Sequence, residues 1–353
     1  MNAIAPMKRK RMALKSVGRR RRRDAHMKAA VHTRYGPPDV VQITEVEKPV
    51  PKDDEVLIAV RAASVNPVDW HLMRGTPYVG RIMMGLRKPK FTRLGVNMAG
   101  QVDAIGRRVT QFKPGDEVFG SARGAFAEYA CAFERALVTK PSNVTFEQAA
   151  AAPLAALTAL QGLRDRGKIQ PGQKVLINGA AGGIGTFAVQ IAKWFGAEVT
   201  GVCSTKNVDM VRSIGADRVV DYTQEDFTKA AQRYDVILDN VGNRLLSECR
   251  RVLNSKGKYV LIGGGGPSDQ GWIGPGLARA MTALVVSRFV SQDMSFFLAN
   301  PNKKDLTILR DLMQAGKLIA VIDRRYRLGE VPEAIRYLEE GHARGKVVIT
   351  FGT

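Results

Sequence analysis

Between Val175 and Asn207 the chain reads VLINGAAGGIGTFAVQIAKWFGAEVTGVCSTKN. An apolar run enters a glycine-rich turn, an amphipathic segment leaves it, and a second apolar run ends in Ser204, Thr205 and Lys206. Two apolar runs joined through one helix read as parallel strands with a crossover between them. Gly179, Gly182 and Gly185 are spaced G-x-x-G-x-x-G. One residue without a side chain sharpens the turn, one lets the backbone approach a pyrophosphate, and one lets the helix pack on the strand. Gly183, Ile184 and Gly185 stand at the helix entry, where unpaired N–H groups and the positive dipole end favour phosphate.

The end of the second run narrows the ligand. A site for NAD usually carries Asp or Glu about 20 residues on, to bind the ribose hydroxyls. Ser204 stands there instead, with Lys206 close behind. A serine can donate to a 2′-phosphate and a lysine can neutralise part of its charge. Tyr222, ending the next strand, adds a hydroxyl at the adenosine end. The expected cofactor is therefore NADP(H).

Around this unit the character of the chain changes twice. From Met27 to about residue 150, short apolar runs are punctuated by Gly, Pro and Asp, as in EVLIAVRAASV (55–65), MAGQVDAIG (98–106) and PGDEVFG (114–120). These predict strands and tight turns, hence a mostly β domain with a partly open barrel. TFEQAAAAPLAALTALQGL (145–163) predicts a helix capped by Thr145. Strand and helix patterns then alternate, with nearly continuous Val, Ile and Leu runs at 174–178, 198–203, 217–222, 234–242 and 257–265. Such runs suit strands covered on both faces, so the sheet is expected to be parallel and doubly wound. After about residue 292 come a helix at 303–316 and a last helix and strand within 328–351. The expected organisation is a basic disordered tail (1–26), a first part of the β domain (27–150), an inserted dinucleotide-binding domain (151–292) and a second part (293–353).

Composition excludes some classes. Cys131, Cys203 and Cys249 have no pair spacing, so a disulfide framework or a four-cysteine zinc site is not expected, and a reducing compartment, the cytoplasm, is the natural home. The longest apolar stretch, 274–292, is interrupted by Arg279 and Arg288 and reads as a buried or interface helix. The net charge of +21 is concentrated at the start: residues 1–26 carry ten Lys or Arg against Asp24 alone. A start at Met27, a solvated tail, an organelle-targeting segment and a phosphate-binding arm all fit that tail. The last is weakened by the absence of interleaved aromatics.

Six segments together, ASVNPVDWHLMRG (63–75), LGVNMAGQVDAIG (94–106), FKPGDEVFG (112–120), AAAPLAALTALQGL (150–163), NGAAGGIG (178–185) and YDVILDNVG (234–242), resemble the medium-chain dehydrogenase/reductase superfamily. Within it the chain looks like the zinc-independent quinone oxidoreductase branch, over about 27–353. The resemblance implies a GroES-like substrate domain around a Rossmann domain, an active site in the cleft between them, and a homodimer formed through the 274–292 helix or an edge strand. Where zinc-dependent relatives place a ligand Cys this chain has Asn66, and where they have His-Glu it has Val96 and Asn97. The four histidines show no ligand spacing, so no metal is expected.

The same resemblance suggests roles for single residues. Asn66 would lie beside the nicotinamide and, with backbone N–H groups, steady an oxyanion. Tyr78 resembles a proton-donating tyrosine, one position further from Asn66 than in enoyl reductases. Thr158 resembles a threonine that contacts the nicotinamide amide. Asn240, Gly242 and Gly263 to Gly266 lie at strand ends where the ribose would bind. Asp69 reads as structural and His71 as packed. Asn97 stands where the family more often has Asp. Segment 79–93, basic and Met-bearing, reads as an interdomain loop, or as a lining for an apolar acceptor. The expected activity is hydride transfer from NADPH to a quinone or an enone. An alcohol dehydrogenase or carbonyl reductase, a non-catalytic NADPH-binding regulator and a nucleic-acid binder stay open beside it.

Overall fold

The computed structural model describes residues 25–262, 275–288 and 290–352; the basic tail before Ala25 lies outside them. Six strands form one sheet: β1 Lys174–Asn178, β2 Glu198–Cys203, β3 Arg218–Asp221, β4 Tyr234–Asp239, β5 Leu253–Leu261 and β6 Asp293–Phe296. Their order is β3-β2-β1-β4-β5-β6 and every neighbouring pair is parallel. The apolar runs explain this: in β1 every residue from Val175 to Asn178 is buried, as strands covered by helices on both faces require. The order reverses between β1 and β4, the place where such sheets open a crevice at their carboxyl ends. Register brings Asn178 opposite both Val202 and Asp239, and Asp221 opposite Cys203, so the polar ends of four strands meet along one edge. One boundary is corrected. β6 falls past residue 292, where the sequence reading ends this domain; its DMSF lacks the continuous aliphatic run that marks the other strands.

The second sheet has seven strands and is antiparallel except at one edge, where Ile322–Arg327 runs parallel to Lys346–Thr350. Lys346–Thr350 pairs antiparallel with Glu55–Val65, with Val347 opposite Val65 and Val348 opposite Ser64. Continued by one residue, that register sets Lys346 across from Asn66. On the other side of Glu55–Val65 runs Asn97–Ile105, with Asn97 opposite Ser64.

Between the sheets lies the Ala-rich segment, which is two helices and not the single one expected over 145–163. Thr145 caps Phe146–Ala151, its Oγ1 accepting from Gln148 N at 3.2 Å. Pro153 then starts Pro153–Gln161, and its missing N–H and its ring break the ladder at Ala152. Ala149 to Ala152 are fully buried, their small side chains drawing both sheets into one core with Ala62, Ala99, Phe187 and Val348. No helix among the described residues is long and apolar enough to cross a membrane.

Candidate active site

The glycine turn closes as its spacing predicts. Gly179 has φ +77° and a Cβ there would meet Val241 at 2.7 Å, while a Cβ on Gly185 would meet the Gly179 carbonyl oxygen at 2.0 Å. Gly185 thus packs the helix Gly185–Trp194 onto the turn, and Ile184, its N-cap, supplies no side-chain hydrogen bond. The first-turn N–H groups have no side-chain cap, which is what a phosphate needs. Gly182 and Gly183 lie against the segment that opens the last strand. Gly182 forms a single parallel bridge with Gly345, and a Cβ on Gly183 would lie 3.1 Å from Lys346 Cδ. At the same edge Asn240 holds Asn178 O through its N–H and its Nδ2, at 3.2 and 2.9 Å, leaving its buried Oδ1 without a partner. An orphaned acceptor beside a glycine cradle fits a ligand that carries hydroxyl or amide donors.

Past β2, Ser204 Oγ accepts from Asn207 Nδ2 at 3.1 Å, so its own proton is still free to donate. Lys206 and Tyr222 are exposed, and Tyr222 N–H holds Cys203 O at 3.0 Å, next to Ser204. Two residues here escaped the sequence reading. Arg344 crosses from the loop before the last strand and donates to Lys206 O at 3.1 Å. Asp221, at the end of β3, brings an acid nearby, engaged by Thr223 N at 3.0 Å and Thr223 Oγ1 at 2.8 Å. Hydrogen bonds from the Thr205 and Thr223 hydroxyls hold its carboxyl below the usual range.

Opposite the glycine turn, Asn66 is buried and fully engaged. It precedes the helix Pro67–Arg74, where its N–H donates to Asp69 Oδ2 at 2.8 Å. Its Oδ1 accepts from Lys346 Nζ at 2.6 Å. Its Nδ2 donates to Ser64 O at 2.9 Å and to Asn97 Oδ1 at 3.2 Å. The amide orientation follows from its partners: a lysine only donates, so the atom facing it is the oxygen. At the other end Asn97 Oδ1 also accepts from Leu154 N at 3.2 Å, which fixes Asn97 in the same sense. With both Nδ2 hydrogens committed, Asn66 has none left for a substrate oxygen. The Asn66 amide is thus held between Ser64, Asn97 and Lys346.

The same chain of contacts reaches Thr158. Leu154, held by Asn97, accepts in turn from Thr158 Oγ1 at 2.7 Å, one turn along the helix Pro153–Gln161. This is ordinary back-bonding in a helix, and the hydroxyl oxygen keeps a lone pair for an amide donor. Burial pushes the Lys346 ammonium down to about 8, with the charge of Asp69 opposing. Burial pushes Asp69 up to about 7, against the Asn66 N–H, Lys346 and the Gly95 N–H.

Tyr78 stands apart from this network. It opens a short turn, Tyr78–Gly80, half-buried, with the Arg81 guanidinium 4.6 Å from its ring centroid. Arg81 also lies 4.5 Å from the Tyr35 ring and donates to Gly75 O at 2.9 Å. Ile82, Met83 and Leu86, which follow, are exposed. His71 holds Thr76 O at 2.8 Å through Nδ1 and stacks on Trp70, as a packed residue would. Gly263 to Gly266 lie outside the described residues.

Comparison with known proteins places this geometry. Residues 52–142 match the alcohol dehydrogenase GroES-like domain and residues 214–349 the zinc-binding dehydrogenase family. The mitochondrial NAD(P)H oxidoreductase RTN4IP1 of Mus musculus is 33% identical over 359 residues, covering 93% of this chain and 90% of that protein. The chloroplastic NADPH-dependent alkenal/one oxidoreductase of Arabidopsis thaliana is 33% identical over 338 residues, covering 92% and 79%. The quinone oxidoreductase of Coxiella burnetii superposes with a TM-score of 0.81 at 30% identity, over 93% of this chain and all of that one. The chain belongs to the medium-chain dehydrogenase/reductase superfamily.

Within that superfamily it falls in the quinone oxidoreductase-like branch and is an oxidoreductase with a nicotinamide cofactor. A medium-chain reductase of this architecture holds its dinucleotide at the β1–β4 crevice, and the cradle and the orphaned Asn240 Oδ1 fit it. A catalytic zinc does not fit. At the expected ligand positions the side chains are Asn66, whose oxygen already faces an ammonium, Val96 and Asn97. Among the described residues no group of three or more His, Cys, Asp or Glu is placed to hold a metal.

Proposed function

We propose that this chain is an NADPH-dependent, metal-independent reductase of quinones or of α,β-unsaturated carbonyls. The observation that carries the reading is the meeting of the two half-sites: the glycine turn and the Asn66 network touch through Gly182–Gly345 and Gly183–Lys346. The names of the relatives, a quinone oxidoreductase and an alkenal/one oxidoreductase, support the acceptor classes.

The reduced nicotinamide, when bound, supplies a hydride. The protein holds and orients it. The turn at 182–185 takes the pyrophosphate, Asn240 Oδ1 accepts from a ribose hydroxyl or amide, and Thr158 Oγ1 accepts from the carboxamide. Ser204, Lys206 and Arg344 meet the 2′-phosphate, with the hydroxyl of Tyr222 beside them. Asn66 and Asn97 form the floor beneath the ring. Tyr78 or water returns a proton to the reduced acceptor. Most of the rate gain is then orientation and exclusion of water when the cleft closes.

The test is oxidation of NADPH and NADH by the purified chain against a set of quinones and a set of enones. Turnover that prefers NADPH supports the reading, and the better set names the acceptor. Tight NADPH binding with no turnover on either set overturns it in favour of a regulatory binder. We further infer a homodimer through the outer edge of β6 and the exposed Met281 and Val285 of the helix Pro275–Ser287, and a cytoplasmic home, with an organelle the alternative raised by the relatives' names. Light scattering and imaging of the tagged chain test these two points.

A further inference from the structure

We propose that Lys346 is a positioning residue of the hydride-transfer site, which acts by fixing the Asn66 carboxamide and joining it to the glycine turn. The proposal rests on the reductase reading above. Lys346 is 4% exposed. A buried ammonium is expensive, and an apolar side chain of similar volume would fill the space without that cost. The two hydrogen bonds it makes go to Asn66 Oδ1 at 2.6 Å and Val65 O at 3.1 Å, the two residues that lead into the helix Pro67–Arg74.

The backbone around it is shaped to bring it there. Gly345 has φ +105°, and a Cβ on it would meet Val321 O at 2.3 Å. Only glycine lets the chain pass between Val321 and the turn at Gly182, and the strand that follows sets Lys346 across from Asn66. One side of the lysine stem covers Gly183 and its head orders Asn66. Phosphate entering the turn and the amide beneath the nicotinamide are therefore coupled through a single side chain. Remove the ammonium and Asn66 Oδ1 loses its donor while Nδ2 keeps both acceptors, so the carboxamide is held from one end only.

Full-length Lys346→Met, Lys346→Arg, Asn66→Ala and the double variant Lys346→Met/Asn66→Ala are compared for kcat and KM with an enone, for NADPH Kd by fluorescence, and for Tm. The proposal expects Lys346→Met to lower kcat roughly tenfold while Kd moves less than about threefold, and to cost nothing further once Asn66 is alanine. Lys346→Arg, which keeps the charge and the donors, restores most of the rate. Additive losses in the double variant, a wild-type kcat in folded Lys346→Met, or a loss of Kd that accounts for all of the loss in turnover each overturn it.

If the methionine variant does not fold, wild-type protein with labelled asparagine carries the test alone. The Asn66 side-chain NH₂ resonance moves as Lys346 titrates on the alkaline side, and a resonance that stays put overturns the proposal. Asp69 is the other titratable group facing Lys346, and its step, at about 7, lies just below that of Lys346 at about 8. Wild type that reduces neither acceptor set sinks the reductase reading before any variant is made. The resonance experiment then still decides the Lys346–Asn66 contact.

Discussion

Arg344 Nη2 donates to the Lys206 carbonyl oxygen at 3.1 Å, so two residues 138 positions apart share the turn that follows β2. Arg344 sits on the loop that leads into the last strand, and Lys206 stands two positions after Ser204, the serine found where an NAD site has an acid. On the NADPH reading proposed above, recognition of the 2′-phosphate is thus shared between the two domains. Arg344→Ala and Lys206→Glu should each raise KM for NADPH about five- to tenfold, the scale of one exposed charge-assisted hydrogen bond. KM for NADH should barely move. Steady-state kinetics with both cofactors checks this, and an equal change for the two would remove Arg344 from phosphate recognition.

Gly185→Ala should fail in two ways at once. The new methyl lands 2.0 Å from the Gly179 carbonyl oxygen, so backbone must move. Overpacking of this kind costs roughly 1–3 kcal/mol, and more when the obstacle is main chain. A fall in Tm of several degrees with loss of NADPH binding is expected, readable by thermal melting with and without cofactor.

The buried pair gives opposite pH dependences on its two sides. Lys346 is held down to about 8 from an unfolded value of 10.5, so its burial opposes folding below about 8 and that penalty lifts as pH climbs toward 10.5. Asp69 is held up to about 7 from 3.8, so its penalty stands above about 7 and lifts as pH falls toward 4. The stability of wild type relative to Lys346→Met should therefore increase between pH 8 and 10. Urea midpoints at the two values measure it; a wild-type-minus-variant stability that falls between pH 8 and pH 10 contradicts the burial of a charged lysine.

Tyr78→Phe separates two fates of the acceptor. Reduction of an enone leaves a carbon to be protonated, whereas a quinone takes its protons on oxygen, where water serves. If the tyrosine hydroxyl delivers the carbon-bound proton, enone kcat falls about tenfold or more and quinone turnover is unchanged. Equal turnover on both sets would make Tyr78 a rim residue stacked on Arg81.

Thr158→Val tests the amide contact. Valine keeps the branched shape and loses the oxygen, so KM for NADPH should rise about two- to fivefold with Tm nearly constant, and Thr158→Ser should restore it. Parallel loss of Tm and affinity would assign the threonine to helix packing alone.

What could be seen in the chain before folding was what is local. The glycine turn was visible because its spacing, the apolar run before it and the helix after it all lie within one crossover. Asn66 stood out through the Asn-Pro step, but not its partners, since Lys346 and Asn97 lie 280 and 31 positions away. The one local hint of Lys346 was a Gly-Lys pair directly before the buried run Val347–Ile349, a charge where a strand interior would be apolar. Arg344 gave no hint at all among so many arginines. The asparagine at 97, unaccounted for by pattern, has a physical reason in the fold. Its Nδ2 donates to Val96 O at 3.1 Å and Ser121 Oγ at 3.2 Å, and an aspartate would set an anionic oxygen against the carbonyl. The break at Ala152 and the short β6 were missed because neither carries its signal in length or periodicity.

The pairing of Lys346–Thr350 with Glu55–Val65 also has a temporal side. Nearly the whole chain must be synthesised before the strand that leads into Asn66 receives its last neighbour, and closing so distant a contact is slow relative to the local βαβ steps. On the reading proposed above, the nascent protein passes through an interval in which its glycine turn is formed and the Asn66 network is not. A ribosome stalled short of residue 345 would display the glycine turn without its Gly345 bridge and Asn66 without its Lys346 donor.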